Sequence, residues 1–175
     1  MLVLRHVTSL ATALALTALL VAGCGGDSDG DVAYVRTQSA YATAQSGLTR
    51  AQQGLAMYKA GDTAGGWTAM NEGMQAASNG ASGMRSGFGM MQGVTTCGMR
   101  PEEMMGQLDD GMVRARRGLS AMQTPDAAQQ STGMQMMQDD GLPKMQSAMQ
   151  QAGAALACIE ACSGGNKGGG MMGGR

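Results

Sequence analysis

The sequence predicts an all-α protein, specifically an antiparallel up-down four-helix bundle. Three observations predict it. Aromatic residues make up only 3% of the chain, with one Phe and one Trp, too few for the aromatic and β-branched surfaces of a β-sandwich. Ala, Gln, Met and Leu dominate instead, and these favour helix. Finally, apolar residues recur at alternating spacings of three and four over four stretches, which builds one apolar stripe per helix.

The first stripe runs Tyr41, Ala44, Leu48, Ala51, Leu55, Tyr58, and the second Met70, Met74, Ala77, Ala81, Met84, Phe88, Met91. The third runs Met105, Leu108, Met112, Ala115, Leu119, Met122, and the fourth Leu142, Met145, Met149, Ala152, Leu156, Ile159. Number each stripe as a and d. Then Gly47, Gly54, Gly73, Gly80, Gly87, Gly111, Gly118 and Gly141 all precede an a residue. Ala148, Ala155 and Cys162 continue that row in the fourth stretch. Each helical Gly costs about 1 kcal/mol relative to Ala. A row of such residues beside the seam is therefore expected to let a neighbouring helix approach closely.

Breaks between the stretches carry helix-terminal signals. Gly61-Asp62-Thr63 separates the first two helices, with Asp62 or Thr63 as N-cap. Residues 95–100 read as a loop. Pro101-Glu102-Glu103 opens the third helix, with proline in the first turn and acids at the positive end. Thr124-Pro125-Asp126 repeats the signal for the fourth. Within it, Gly133, Met134 and Met137 keep the pattern shifted by one residue, and Gly141-Leu142-Pro143 follows. The fourth helix is expected to be kinked or broken near Pro143.

The chain begins with a short cationic segment holding Arg5 and His6, and an apolar run from Val7 to about Ala22. This is the layout of a secretory signal and is short for a membrane span, which takes about 20 apolar residues. The run ends Leu20-Val21-Ala22-Gly23-Cys24, which resembles the lipobox of bacterial lipoproteins. The resemblance implies removal of residues 1–23, lipidation of Cys24 and anchoring to a membrane. No Asp follows Cys24 directly, which in the Gram-negative sorting pattern leans toward the outer membrane, facing the periplasm. Residues 24–30 read as a flexible tether, 31–163 as a Met-rich helical bundle and 164–175 as a disordered Gly/Met tail.

Composition excludes several functions. His6 is the only histidine, so the mature chain has no imidazole for Ser-His-Asp or Cys-His catalysis, c-type haem attachment or His-ligated zinc. Formal net charge is −1, and Arg114, Arg116 and Arg117 fall far short of a nucleic-acid footprint. Asp109-Asp110 and Asp139-Asp140 are acidic pairs, but adjacent residues point apart on a helix and read as solvated faces. No enzyme is expected.

Sulfur is the anomaly, with 19 methionines and four cysteines. Up-down topology would gather Cys97, Met99, Cys158 and Cys162 at the end where the anchor lies. An exported compartment is oxidising, so Cys97 is expected to pair with Cys158 or Cys162. A Cys158–Cys162 bond, four apart on one helix, would strain it. The functional alternative is a Cu(I) or Ag(I) site, because thiolates and thioethers select soft ions. Its ligands would be Cys97, Met99, Cys158, Cys162, Met171 and Met172.

Methionine at a and d positions is flexible core filler. Met57, Met90, Met99, Met104, Met136, Met171 and Met172 lie off the stripe or in loops. A helical bundle filled with sulfur looks like bacterial copper-storage bundles, from which this chain departs in its few cysteines and in having no histidine beyond His6 of the signal segment. Three roles follow as expectations: a non-enzymatic envelope module that is structural or binds a protein partner, a Cu(I)/Ag(I) buffer or carrier, and a methionine reservoir that consumes oxidants.

Overall fold

A computed structural model of the chain describes residues 29–91 and 98–164. They form an all-helical structure of four helices, the last joined from pieces. Helix α1 spans Asp29–Lys59, α2 Thr63–Met90 and α3 Pro101–Ala121. The last helix comprises α4 (Ala127–Gln135), a π-helical turn (Met136–Gly141) and α5 (Leu142–Gly164). The signal segment with Cys24, residues 24–28 of the 24–30 tether, Cys97, Met171, Met172 and residues 165–175 of the tail lie outside the described residues. Residues 29 and 30, read as tether, open α1, and Gly164, read as tail, closes α5.

The helix ends follow local chemistry. Gly61 turns the chain with φ +98°, a left-handed conformation that glycine adopts without steric cost. Of the two caps expected for α2, Asp62 serves: its carboxylate accepts from Gly65 N–H at 2.9 Å. Asp126 caps α4 by accepting from Ala128 N–H at 2.8 Å. Pro101 opens α3, and Glu102 and Glu103 occupy its first turn.

The glycine rows decide which helices lie closest. A Cβ placed on Gly54 would lie 2.7 Å from the Gly66 carbonyl oxygen, and one on Gly66 2.6 Å from that of Gly54. Gly47 and Gly73 face each other likewise, at 2.6 Å in both directions. Gly80 is pressed against Ala40 and Ala44, and Gly87 against Thr37. Residue numbers fall on one helix as they rise on the other, so α1 and α2 run antiparallel. This is the most extensive interface of the structure. Helix α3 meets the last helix in the same way, with Gly118 on Gly133, Gly111 on Gly141 and Met145, and Gly141 on Ala115.

The stripe residues fill the remaining interior. Met70, Met74, Met84, Met91, Met105, Met112, Met122, Met145 and Met149 are all buried, as core filler should be. Met104 is buried too, and this corrects its exclusion from the core methionines, although it does lie off the stripe. It stands seven residues before Gly111, in the row that faces the neighbouring helix, so position rather than stripe membership buries it. Met57 and Met90 are exposed, while Met99 and Met136 are half-buried.

Near Pro143, where a kink or break was expected, the last helix is joined from pieces, α4 passing through the π-helical turn into α5. Leu142 N–H reaches back five residues to the Met137 carbonyl, so the wide turn absorbs one extra residue. Gly133 and Gly141 are eight apart instead of seven, yet both face α3. The π turn is how the helix keeps its small-residue row in register despite the insertion.

Candidate functional site

The sulfur-bearing end is built from the start of α1, the close of α2, the start of α3 and the close of α5. Thr37, next to Gly87, is the one fully buried polar side chain among the described residues, and its hydroxyl donates to the Ala33 carbonyl at 2.7 Å. The Tyr34 hydroxyl donates to Glu160 Oε2 at 3.2 Å, tying the start of α1 to the close of α5. Partial burial raises the Tyr34 pKa, and the Glu160 charge and hydrogen bond add to the shift. Arg100 closes on Glu103 at 2.7 Å.

Of the residues proposed for this site, Cys158 is buried and disulfide-bonded. Cys162, one turn further on, keeps a free thiol and is exposed. It therefore does not extend the buried row that Ala148 and Ala155 form. Met99 packs half-buried against the core, and Cys97, Met171 and Met172 lie outside the described residues. A thiolate site for a soft ion needs free thiols, and the Cys158 sulfur is committed to a disulfide. The described sulfurs therefore do not fit a thiolate cluster in this state. Among the described residues no group of three or more His, Cys, Asp or Glu is placed to hold a metal.

A second constellation was missed in the sequence. Asp109 and Asp110 do point apart, but each reaches another helix. Asp109 pairs with Arg85 of α2, while Asp110 turns toward the last helix. Arg114 Nε donates to Asp110 at 3.0 Å, and its terminal nitrogen donates to Asp140 at 2.6 Å. Lys144 Nζ donates to Asp110 at 2.7 Å and lies 3.3 Å from Asp140. Four alternating charges thus clamp α3 to the π turn and α5.

The clamp shifts its own titrations. The Asp110 carboxyl is lowered, first by the Lys144 hydrogen bond and then by that of Arg114. For Asp140 desolvation acts upward, but the bonds from Arg114 and Lys144 outweigh it and leave the carboxyl lowered. Lys144 is raised by its bond to Asp110 and Arg114 by its bond to Asp140. Spacings of four within each helix, Asp110 to Arg114 and Asp140 to Lys144, were the available signal.

No protein-family model, curated protein or solved structure matches this chain. Among the described residues no helix is long and apolar enough to cross a membrane.

Proposed function

We propose that the chain is an exported lipoprotein, acylated at Cys24 and anchored in the outer membrane facing the periplasm. Its mature part serves the cell envelope as a non-enzymatic structural or partner-binding module. The observation that carries this reading is the disulfide at Cys158. Such bonds persist in oxidising compartments, which is where the Leu20–Cys24 motif would send the protein. Cys97 is the proposed disulfide partner.

The proposed architecture is a closed up-down four-helix bundle. Four sets of contacts support it: the glycine rows of α1 with α2 and of α3 with the last helix, the Arg85–Asp109 pair between α2 and α3, and two bonds joining α1 to the last helix. Those two are Tyr34 to Glu160 and, at the other end of α1, Lys59 Nζ to Gln138 Oε1 at 2.5 Å. Such a bundle offers a partner a rigid surface rather than a cleft lined with reactive groups.

The test is mass analysis of the mature N-terminus after expression of the whole chain in a Gram-negative host. A diacylated or triacylated Cys24 in the outer-membrane fraction is expected. Cys24→Ser should leave an unprocessed precursor. An unmodified N-terminus released into the soluble periplasm overturns the reading.

A second reading, Cu(I) or Ag(I) binding, is favoured by one observation: Cys162 keeps a free, exposed thiol. Met171 and Met172 follow it by less than a dozen residues.

A further inference from the structure

We infer that the end of the molecule formed by the start of α1 and the close of α2 rests on the lipid surface through Val32, Val35 and Met90. The inference builds on the lipoprotein reading and adds the orientation of the bundle. Five large apolar side chains are exposed among the described residues: Val32, Val35, Met57, Met90 and Val113. Three of the five lie at this one end. Val35 is 61% exposed, Met90 53% and Val32 39%, so each presents substantial apolar surface.

Register puts them at one level. Gly87 lies against Thr37 across the antiparallel α1–α2 contact. Three residues further along α2, Met90 is level with Tyr34, between Val32 and Val35. Measured along the α1 axis from Asp29, Val32 and Val35 stand about 4.5 and 9 Å in. Apolar groups of interfacial helices settle about 5–10 Å into the boundary between headgroups and acyl chains.

The length of the tether names the occupant. Only five peptide units separate Cys24 from Asp29, the first residue of α1. Fully extended they span about 18 Å at most. An acyl chain on Cys24 therefore holds this end, and no other, within a short distance of the bilayer. Charge does not draw it there. Asp31, Glu102, Glu103 and Glu160 outnumber Arg36 and Arg100 near this end, so the contact is apolar and does not call for anionic lipid.

The test uses the whole acylated chain reconstituted in phosphatidylcholine vesicles, with and without bromine on the acyl chains. Trp67 is the native control. It lies near the other end of α2, about 30 Å from Gly87 along the axis, and its emission should not respond to bromine. In the Val35→Trp variant carrying Trp67→Phe, emission should fall about two-fold or more in brominated vesicles and shift to the blue, independently of salt. Val32→Trp in the same background should behave alike and guards against a local folding defect in one variant. Emission from both variants that ignores bromine, in protein whose Cys24 acylation is confirmed by mass, overturns the inference and leaves the lipoprotein reading standing. Absence of the acyl group overturns both.

Discussion

Gly47 and Gly73 face each other across the α1–α2 contact so closely that a Cβ on either would lie 2.6 Å from the other's carbonyl oxygen. The obstacle is backbone on both sides, so no side-chain rotation relieves it. Gly73→Ala should gain about 1 kcal/mol of helix propensity but force the helices apart, and overpacking costs ~1–3 kcal/mol. A net loss is expected, seen as a melting temperature lower by about 2–4 °C per kcal/mol. Gly106 has nothing within 4 Å of its would-be Cβ. Gly106→Ala should therefore raise the melting temperature. Equal effects from the two substitutions would show that proximity is not why the row is glycine.

The wide turn at Met136–Gly141 supplies the second prediction. If it exists to absorb one surplus residue, deleting Gln138 should bring Gly133 and Gly141 to the seven-residue interval used elsewhere. The chain should then fold with undiminished helical circular dichroism and a cooperative melt, losing only the bond from Lys59. Deleting Val113, also exposed to solvent but between Gly111 and Gly118, should throw α3 out of register and abolish cooperative unfolding. A comparable collapse on deleting Gln138 would mean the turn is needed for itself.

The seven-residue beat made the helices and their tight rows legible because backbone contact tolerates only the smallest residues, and this leaves an unmistakable trace. Gly66, which packs on Gly54 and Tyr58, extends that row by one more repeat. The helix starts at Asp62, Pro101 and Thr124-Pro125-Asp126 were legible because their signals act within one turn, although Asp126 serves as the N-cap and Pro125 precedes the helix instead of opening it. Met104 was misjudged because its burial depends on the neighbouring helix, not on its own stripe. The π turn showed only as a one-residue slip, and a slip alone does not distinguish a break from an absorbed insertion. The Asp110, Arg114, Asp140 and Lys144 clamp was missed because the two pairings that close it, Arg114 with Asp140 and Lys144 with Asp110, join different helices. At the sulfur-bearing end, Cys158 and Cys162 lie on the same side of α5, and they differ in burial because Cys162 stands in the last turn of the helix. Their difference in oxidation state was not readable from two cysteines four apart.

That clamp predicts a particular dependence on pH. Asp110 and Asp140 have folded pKa values below their ordinary ones. Their contribution is complete above the unfolded carboxylate pKa and disappears as pH falls through the lowered folded values. Lys144 has a raised folded value, so its contribution is present below the unfolded lysine pKa and is lost as pH rises through the raised one. The urea midpoint of Asp110→Asn should thus lie below that of the parent chain at neutral pH. The gap should close in acid, and high salt should narrow it because the groups are half-exposed. A gap that persists unchanged in acid would assign the effect to packing.

The remaining prediction separates the two readings of the sulfurs. Alkylation of the native chain without reductant should label Cys162, which is free and exposed, and spare Cys158, which is disulfide-bonded. After reduction Cys158 and Cys97 should be labelled together if they are partners. With the disulfide intact, Cys162 alone supplies a thiolate among the described cysteines, and two-coordinate soft-ion sites need at least one further sulfur. Titration of this oxidised protein with Cu(I) against a competing chelator should therefore give no stoichiometric site tighter than about 1 μM. A tighter site that disappears in Cys162→Ser, or in the double change Met171→Leu and Met172→Leu, would replace the structural reading with the metal-binding one. The thioethers of the core, Met70, Met84 and Met145 among them, are fully buried and should contribute to neither result unless the bundle opens.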